Sequence, residues 1–196
     1  MHIHHYFVLE GENVIMKVLI PNEVLFCVDK NAIVVYGILQ LIFRQKVGDV
    51  IISADIVAQQ LGYEIPLNKK KRETIRNTFA YLEELDYLKK QDRLYMFDTD
   101  NIYATNGYEL CEEEVFRKLI HEPKLLMHYI IIKKGLIDGV CKFSLEYFAK
   151  KEEVSTSTIK KRNRDLVAMG LIKINTATFN PEFGKRHNNN IYTVLN

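Results

Sequence analysis

The feature that most narrows the possible folds is an order of patterns that runs twice through the chain. Asn31 to Arg44, NAIVVYGILQLIFR, carries apolar residues at helical spacing with almost no polar face, so a central core helix is expected there. After Gly48 the short segment DVII leads to Ser53, a good N-cap for a second helix, SADIVAQQLGY. A polar loop carrying Pro66 separates it from KKKRETIRNTFAYLEELDYL, a third helix with Ile75, Phe79, Leu82 and Leu85 on one face. YLKKQDRLYMFD then reads as two short strands around Gln91-Asp92.

The second half repeats this order. EEEVFRKLI and PKLLMHYIIIKKGLI supply its opening helices, with Pro123 placed to begin the second of them. GVCKF leads to Ser144, the cap of SLEYFAKKEEV, and a short STS turn precedes TIKKRNRDLVAMGLI. IKINTAT and NIYTVL read as strands joined by the loop FNPEFGKRHNN. Counting aligns Ser53 with Ser144, Ala58 with Ala149, Ile75 with Ile159, Leu82 with Leu166 and Leu88 with Ile172. The first copy is seven residues longer between its second and third helices, the length of the Pro66 loop.

Two copies, each with its own core pattern, imply two domains. The join is expected in the polar, turn-rich stretch Thr99 to Tyr108, giving a first domain over 1–103 and a second over 104–196. Ahead of the first copy, HYFVLEGENVIMKVLI reads as a β-hairpin turning at Gly11-Glu12-Asn13. Three helices followed by a hairpin, with a tight turn between the second and third helix, is the winged helix order. The expected fold class is therefore α+β, mainly α: two tandem winged helix-turn-helix domains with an N-terminal β-hairpin.

In that fold the third helix enters the DNA major groove, so the placement of charge matters more than the net +2 of the whole chain. In the second copy the core stripe is read as Ile159, Leu166, Met169 and the aliphatic part of Asn163. The remaining face carries Ser157, Thr158, Lys160, Lys161 and Arg164, with Arg162 at its edge and Asp165 as the helix's only acid. In the first copy the equivalent face carries Lys71, Arg72, Thr74, Arg76 and Asn77, preceded by Lys69 and Lys70. Acids gather elsewhere, at Glu112 to Glu114 for example.

These side chains suit double-stranded DNA. Lys and Arg reach phosphates and guanine edges, and Asn77 is matched to adenine. Thr74, Ser157 and Thr158 are placed at helix N-termini, where hydroxyls and amides favour a phosphate. The second wing offers Lys185, Arg186 and His187 for the backbone or minor groove; the first offers only Lys89, Lys90 and Arg93. The alternative is a winged-helix interaction module that scaffolds a replisome or chromosome complex. Duplex DNA is the expected partner, with a second copy of the chain or replication proteins as further candidates.

Enzymatic readings find little support. No GxxxxGK[ST], GxSxG or HExxH occurs. Cys27, Cys111 and Cys141 are widely spaced among apolar neighbours and read as buried reduced thiols. His2, His4 and His5 read as the start of a strand, and His121 and His128 as isolated core or surface histidines. No catalytic residue, metal or cofactor is expected. No apolar run is long enough to span a membrane, and Met1-His2-Ile3-His4-His5 lacks the pattern of a secretory signal, so a cytoplasmic address is expected.

STSTIKKRNRDLVAMGLIKI followed by GKRHNNNIYTV resembles helix-turn-helix domains of plasmid and phage proteins from low-GC Gram-positive bacteria. The shared positions are Ser155, Thr158, Ile159, Leu166, Gly170, Leu171, Ile172, Asn190 and Tyr192. Separately, VLIPNEVLFCVDKNAIVVYGILQL is similar to the opening of plasmid replication initiators and phage replisome organisers, through Ile20, Pro21, Tyr36 and Gly37. The resemblance implies a role in plasmid or phage replication initiation or in transcriptional regulation. The first copy departs from the pattern in its longer loop and in Asp86, which stands where Gly170 sits in the second.

Overall fold

The computed structural model describes residues 8–10, 13–44, 51–91, 94–97, 107–176 and 190–195. It is a mixed α/β protein with small antiparallel sheets. It divides into two compact units, residues 1–123 and 124–196.

The first unit opens with the expected hairpin, β1 (Val8–Glu10) against β2 (Asn13–Ile15). The sequence reading runs this hairpin on through Ile20, but Lys17–Pro21 forms a separate strand, β3, whose partner is distant. After α1 (Asn22–Leu25) comes the core helix α2 (Asn31–Arg44), buried from Ala32 through Ile42. A helix with no polar face has to be surrounded, and the rest of the unit surrounds it. Tyr36 packs edge-on against Tyr87 and Phe97, with ring centroids 5.1 and 5.5 Å away. The one buried amide on α2, Gln40, accepts a 2.9 Å hydrogen bond from the Leu19 backbone N–H, which satisfies that donor on the open edge of β3.

β4 (Ile51–Ile52) leads to α3 (Ala54–Gln60), capped by Ser53, whose hydroxyl accepts from the Ile56 N–H. The Pro66 loop is anchored by buried Leu61 and Leu67. It ends at Asn68, which caps α4 (Lys69–Glu84) by accepting from the Lys71 N–H at 2.9 Å. Ile75, Phe79 and Leu82 are buried as expected, whereas Leu85 is the half-buried C-cap. The closing strands β5 (Leu88–Gln91) and β6 (Leu94–Phe97) pair, and β6 also takes β4, so the sheet order is β4-β6-β5.

The next strand, β7 (Tyr108–Glu112), pairs antiparallel with β3, Lys17 facing Glu112 and Pro21 facing Tyr108. It feeds α5 (Glu113–Lys118), whose Phe116 packs on Gly37 of α2. These contacts place β7 and α5, read from the sequence as the start of the second copy, in the first unit.

Gly37 marks that contact: a Cβ built there would lie 2.4 Å from the Phe116 ring and 3.1 Å from Val18. Phe116 and Val18 are fully buried, so neither has room to withdraw. Gly37→Ala should therefore cost about 1–3 kcal/mol through overpacking, more than the roughly 1 kcal/mol of helix propensity that alanine returns. Urea titration of the whole chain measures it; an unchanged or higher midpoint would show that the α2–α5 packing is loose.

The second unit runs from α6 (Pro123–Lys134) through β8 (Leu136–Ile137), β9 (Val140–Cys141), α7 (Leu145–Glu152) and α8 (Thr156–Ala168) to β10 (Ile172–Thr176) and β11 (Asn190–Val194). Gly135-Leu136-Ile137, read from the sequence as the end of a helix, instead turns into a hairpin. Asp138 and Gly139, with φ of 51° and 78°, form the left-handed pair that a tight two-residue turn requires. Ser144 and Ser155 cap α7 and α8 by accepting from the N–H groups of Tyr147 and Thr158. The sheet order is β10-β11-β9-β8.

Both units thus follow one connectivity. A long apolar helix leads through a short strand (β4, or β9 preceded by β8 in the second unit) to two further helices and a closing strand pair, and that short strand pairs with the last. Asp86 takes φ 60° where Gly170 takes φ 69°, so the sequence difference at this helix end leaves the backbone conformation the same.

Candidate nucleic-acid interface

α8 is preceded by a three-residue turn, Glu153 to Ser155, in which Glu153 adopts a left-handed φ of 55° and the Val154 N–H closes on the Ala149 carbonyl at 3.0 Å. The helix turns Ile159 and Leu166 fully inward. Lys160, Lys161 and Arg164 are exposed on the other side, together with Ser157. Thr158 is half-buried. The hydroxyls of the first turn bond to each other: Ser155 Oγ lies 2.7 Å from Ser157 Oγ and 3.0 Å from Thr158 Oγ1. Glu146 on α7 is exposed and held below the usual carboxylate range by hydrogen bonds from its own backbone N–H and the Ser144 hydroxyl, with Lys160 adding to the effect.

Three residues depart from the sequence reading of α8. Met169, assigned to the core stripe, is the C-cap and is 40% exposed, because the helix ends at Ala168 and the chain turns away at Gly170. Arg162, placed at the edge of the basic face, is 8% exposed and points inward. Asn163 is buried as expected, but its amide rather than its aliphatic part makes the contacts.

Arg162 and Asn163 belong to a buried polar network. Arg162 Nη1 donates to one carboxylate oxygen of Glu152 at the end of α7, and His128 Nδ1 on α6 faces the other. His128 is therefore a networked core residue, not an isolated one. His128 Nε2 lies 2.8 Å from Asn163 Oδ1, and Asn163 Nδ2 lies 3.2 Å from the Tyr192 hydroxyl on β11. A ring proton on each nitrogen satisfies both His128 contacts, and so does one ring proton with the Asn163 amide turned over. Asn190 Nδ2 also reaches the Tyr192 hydroxyl at 3.2 Å. Burial raises that phenol above its ordinary range and keeps it neutral.

In the first unit, α4 leaves Lys69, Lys70, Lys71, Thr74, Arg76 and Asn77 exposed. Lys71 Nζ rests 4.0 Å above the Tyr63 ring. Arg72 is half-buried and turned toward Asp55 on α3 at 3.8 Å, a surface pair of small energetic weight. Thr74 is not at the helix N-terminus; it sits in the second turn, where its hydroxyl donates back to the Lys70 carbonyl at 3.1 Å. Thr78, fully buried, donates to Asp29 Oδ2 at 2.6 Å. Lys185, Arg186, His187 and Arg93 lie outside the described residues, as do His2, His4 and His5.

Set against known proteins, the chain matches no family model and no curated sequence. The geometry of the two basic helices is therefore the ground for a functional reading. Among the described residues no group of three or more His, Cys, Asp or Glu could hold a metal ion, and no helix is long and apolar enough to cross a membrane. Cys27 is buried and its thiol is pushed up to about 11, chiefly by burial, which suits an inert core residue.

The sequence reading misses Glu152, His128 and Tyr192 as members of one network. The signal is present in α8, since the spacing that turns Ile159 and Leu166 inward also turns 162 and 163 inward, and both of those are polar.

Proposed function

We propose that this chain binds double-stranded DNA through two tandem winged helix-turn-helix domains and a basic wing, in plasmid or phage replication initiation or in transcriptional regulation. The observation that carries this reading is the exposed cationic face of α8, formed by Lys160, Lys161 and Arg164. α4, at the same place in the order of elements, carries a sparser set: Arg76 stands at the place of Lys160, Asn77 and Ala80 at those of Lys161 and Arg164, and Lys71 is exposed in the first turn. Cations that face outward beside an apolar stripe that faces inward are what a helix needs to lie in the major groove while staying docked on its domain. The connectivity shared by both units, with its short strand paired to the last, supports the same reading. Lys185, Arg186 and His187 are proposed to supply the wing contacts.

Binding to a labelled duplex across a salt series tests the proposal. Three or more phosphate contacts should give a log–log salt slope of about −2.7 or steeper, and deleting Phe183 to Asn189 should make it shallower by about one unit for each phosphate that the wing neutralises. Because the two helices differ in sequence, a monomer should protect an asymmetric site of roughly two helical turns. A chain that captures a replication protein but shows no salt-dependent duplex binding is an interaction module instead.

A further inference from the structure

The buried network under α8 has no direct part in the proposed contact with DNA. Arg162 and Asn163 are withdrawn from the surface, and yet they are polar residues in a core that apolar residues would fill at less desolvation cost. We infer that this network sets the roll of α8 about its axis and so determines which base edges Lys160, Lys161 and Arg164 can reach; the inference rests on the DNA-binding reading above.

Ile159 and Leu166 alone hold the helix along one line, and apolar contact is non-directional. They oppose a roll of the helix through packing alone, with no directional bond. Arg162 and Asn163 sit between them and bond to three other elements. Arg162 is tied to Glu152 on α7, and Asn163 to His128 on α6 and Tyr192 on β11. Hydrogen bonds weaken steeply when misaligned, so each of these resists rotation. A roll of about 10° would carry a side-chain tip roughly 6–10 Å from the axis through about 1–2 Å, which exceeds the tolerance of a specific contact.

The first unit provides a contrast. At the positions that counting aligns with Arg162 and Asn163, α4 carries Thr78, which donates to Asp29, and apolar Phe79, which packs on Tyr95. α8 is thus the more fully oriented helix, and sequence discrimination should come mainly from the second unit.

The test replaces the part of the network that ties α8 to α6 and α7 by apolar residues of similar volume, combining His128→Leu, Glu152→Met and Arg162→Met in the full chain and leaving Asn163 with Tyr192 alone. Duplexes are first selected from a random pool with the wild-type protein, and affinity is then measured for selected and random duplex at several salt concentrations. The expected result is a variant that folds, keeps its random-duplex affinity and salt slope, and loses about tenfold or more of its preference for selected duplex. A purely structural role would leave that ratio unchanged, and a folded variant with wild-type preference overturns the inference. If the triple variant fails to fold, Glu152→Gln, which keeps the shape and removes the charge, is read by the same ratio. Failure of both to fold makes the network a folding element and also overturns the inference. A wild-type chain that binds duplex but selects no sequence refutes the positioning role alone, whereas one that binds no duplex refutes the DNA reading and this inference with it.

Discussion

Changing Lys160, Lys161 and Arg164 together to alanine should weaken duplex binding by about 3–6 kcal/mol, a hundred- to ten-thousand-fold loss of affinity. Each of the three is exposed and none lies on the Ile159–Leu166 line, so the core of the second unit is left intact. Surface substitutions of this kind usually shift stability by no more than about 0.5 kcal/mol, and alanine is at least as good a helix former as lysine or arginine. The effect on binding should therefore appear without an effect on folding. The variant would also leave Glu146 near the DNA without Lys160 beside it, which weakens binding further. Fluorescence anisotropy on a labelled duplex, with a thermal melt of each protein, measures both quantities. A folded triple variant with wild-type affinity would remove α8 from the interface.

The second large effect concerns stability. Arg162→Ala should destabilise the second unit by about 3–5 kcal/mol, because it leaves the buried Glu152 carboxylate without its guanidinium partner. Natural domains are stable by only about 5–15 kcal/mol, so this is a large fraction of the total. The neighbouring Lys161→Ala is the control, since Lys161 is exposed and its removal should change stability little. Urea denaturation followed by far-UV circular dichroism compares the two. Equal midpoints would mean that water or a rearranged side chain satisfies Glu152 once Arg162 is gone.

The repeat, the core helix α2, the caps Ser53 and Ser144 and the outward lysines of both basic helices are legible in the sequence because each rests on a local pattern. Periodicity places Ile75 and Ile159 inward whatever surrounds them, and a serine ahead of an apolar run caps locally. What is not legible depends on partners far away in sequence. Lys17–Ile20 reads as strand, but that it leaves the hairpin and takes Tyr108–Glu112 as its partner shows only when the two pair. The inward turn of Arg162 makes sense only once Glu152 and His128 are seen beneath it. Leu136-Ile137 reads as part of the preceding helix because its apolar run continues that of α6, although Asp138-Gly139 marks the turn.

The β3–β7 ladder has a consequence for the order in which the chain acquires structure. Lys17 finds its partner at Glu112, so the first unit cannot close while a ribosome is still making the segment between them. Everything through Phe97 would emerge with β3 still unpaired on that side, waiting for a strand that belongs in sequence to the second repeat. A contact of such long sequence separation is slow to form, and an exposed strand edge is prone to pairing with the wrong chain in the meantime. A fragment cut at the sequence boundary between 103 and 104 would be held permanently in that nascent state, while one extended through α5 would carry its own closure.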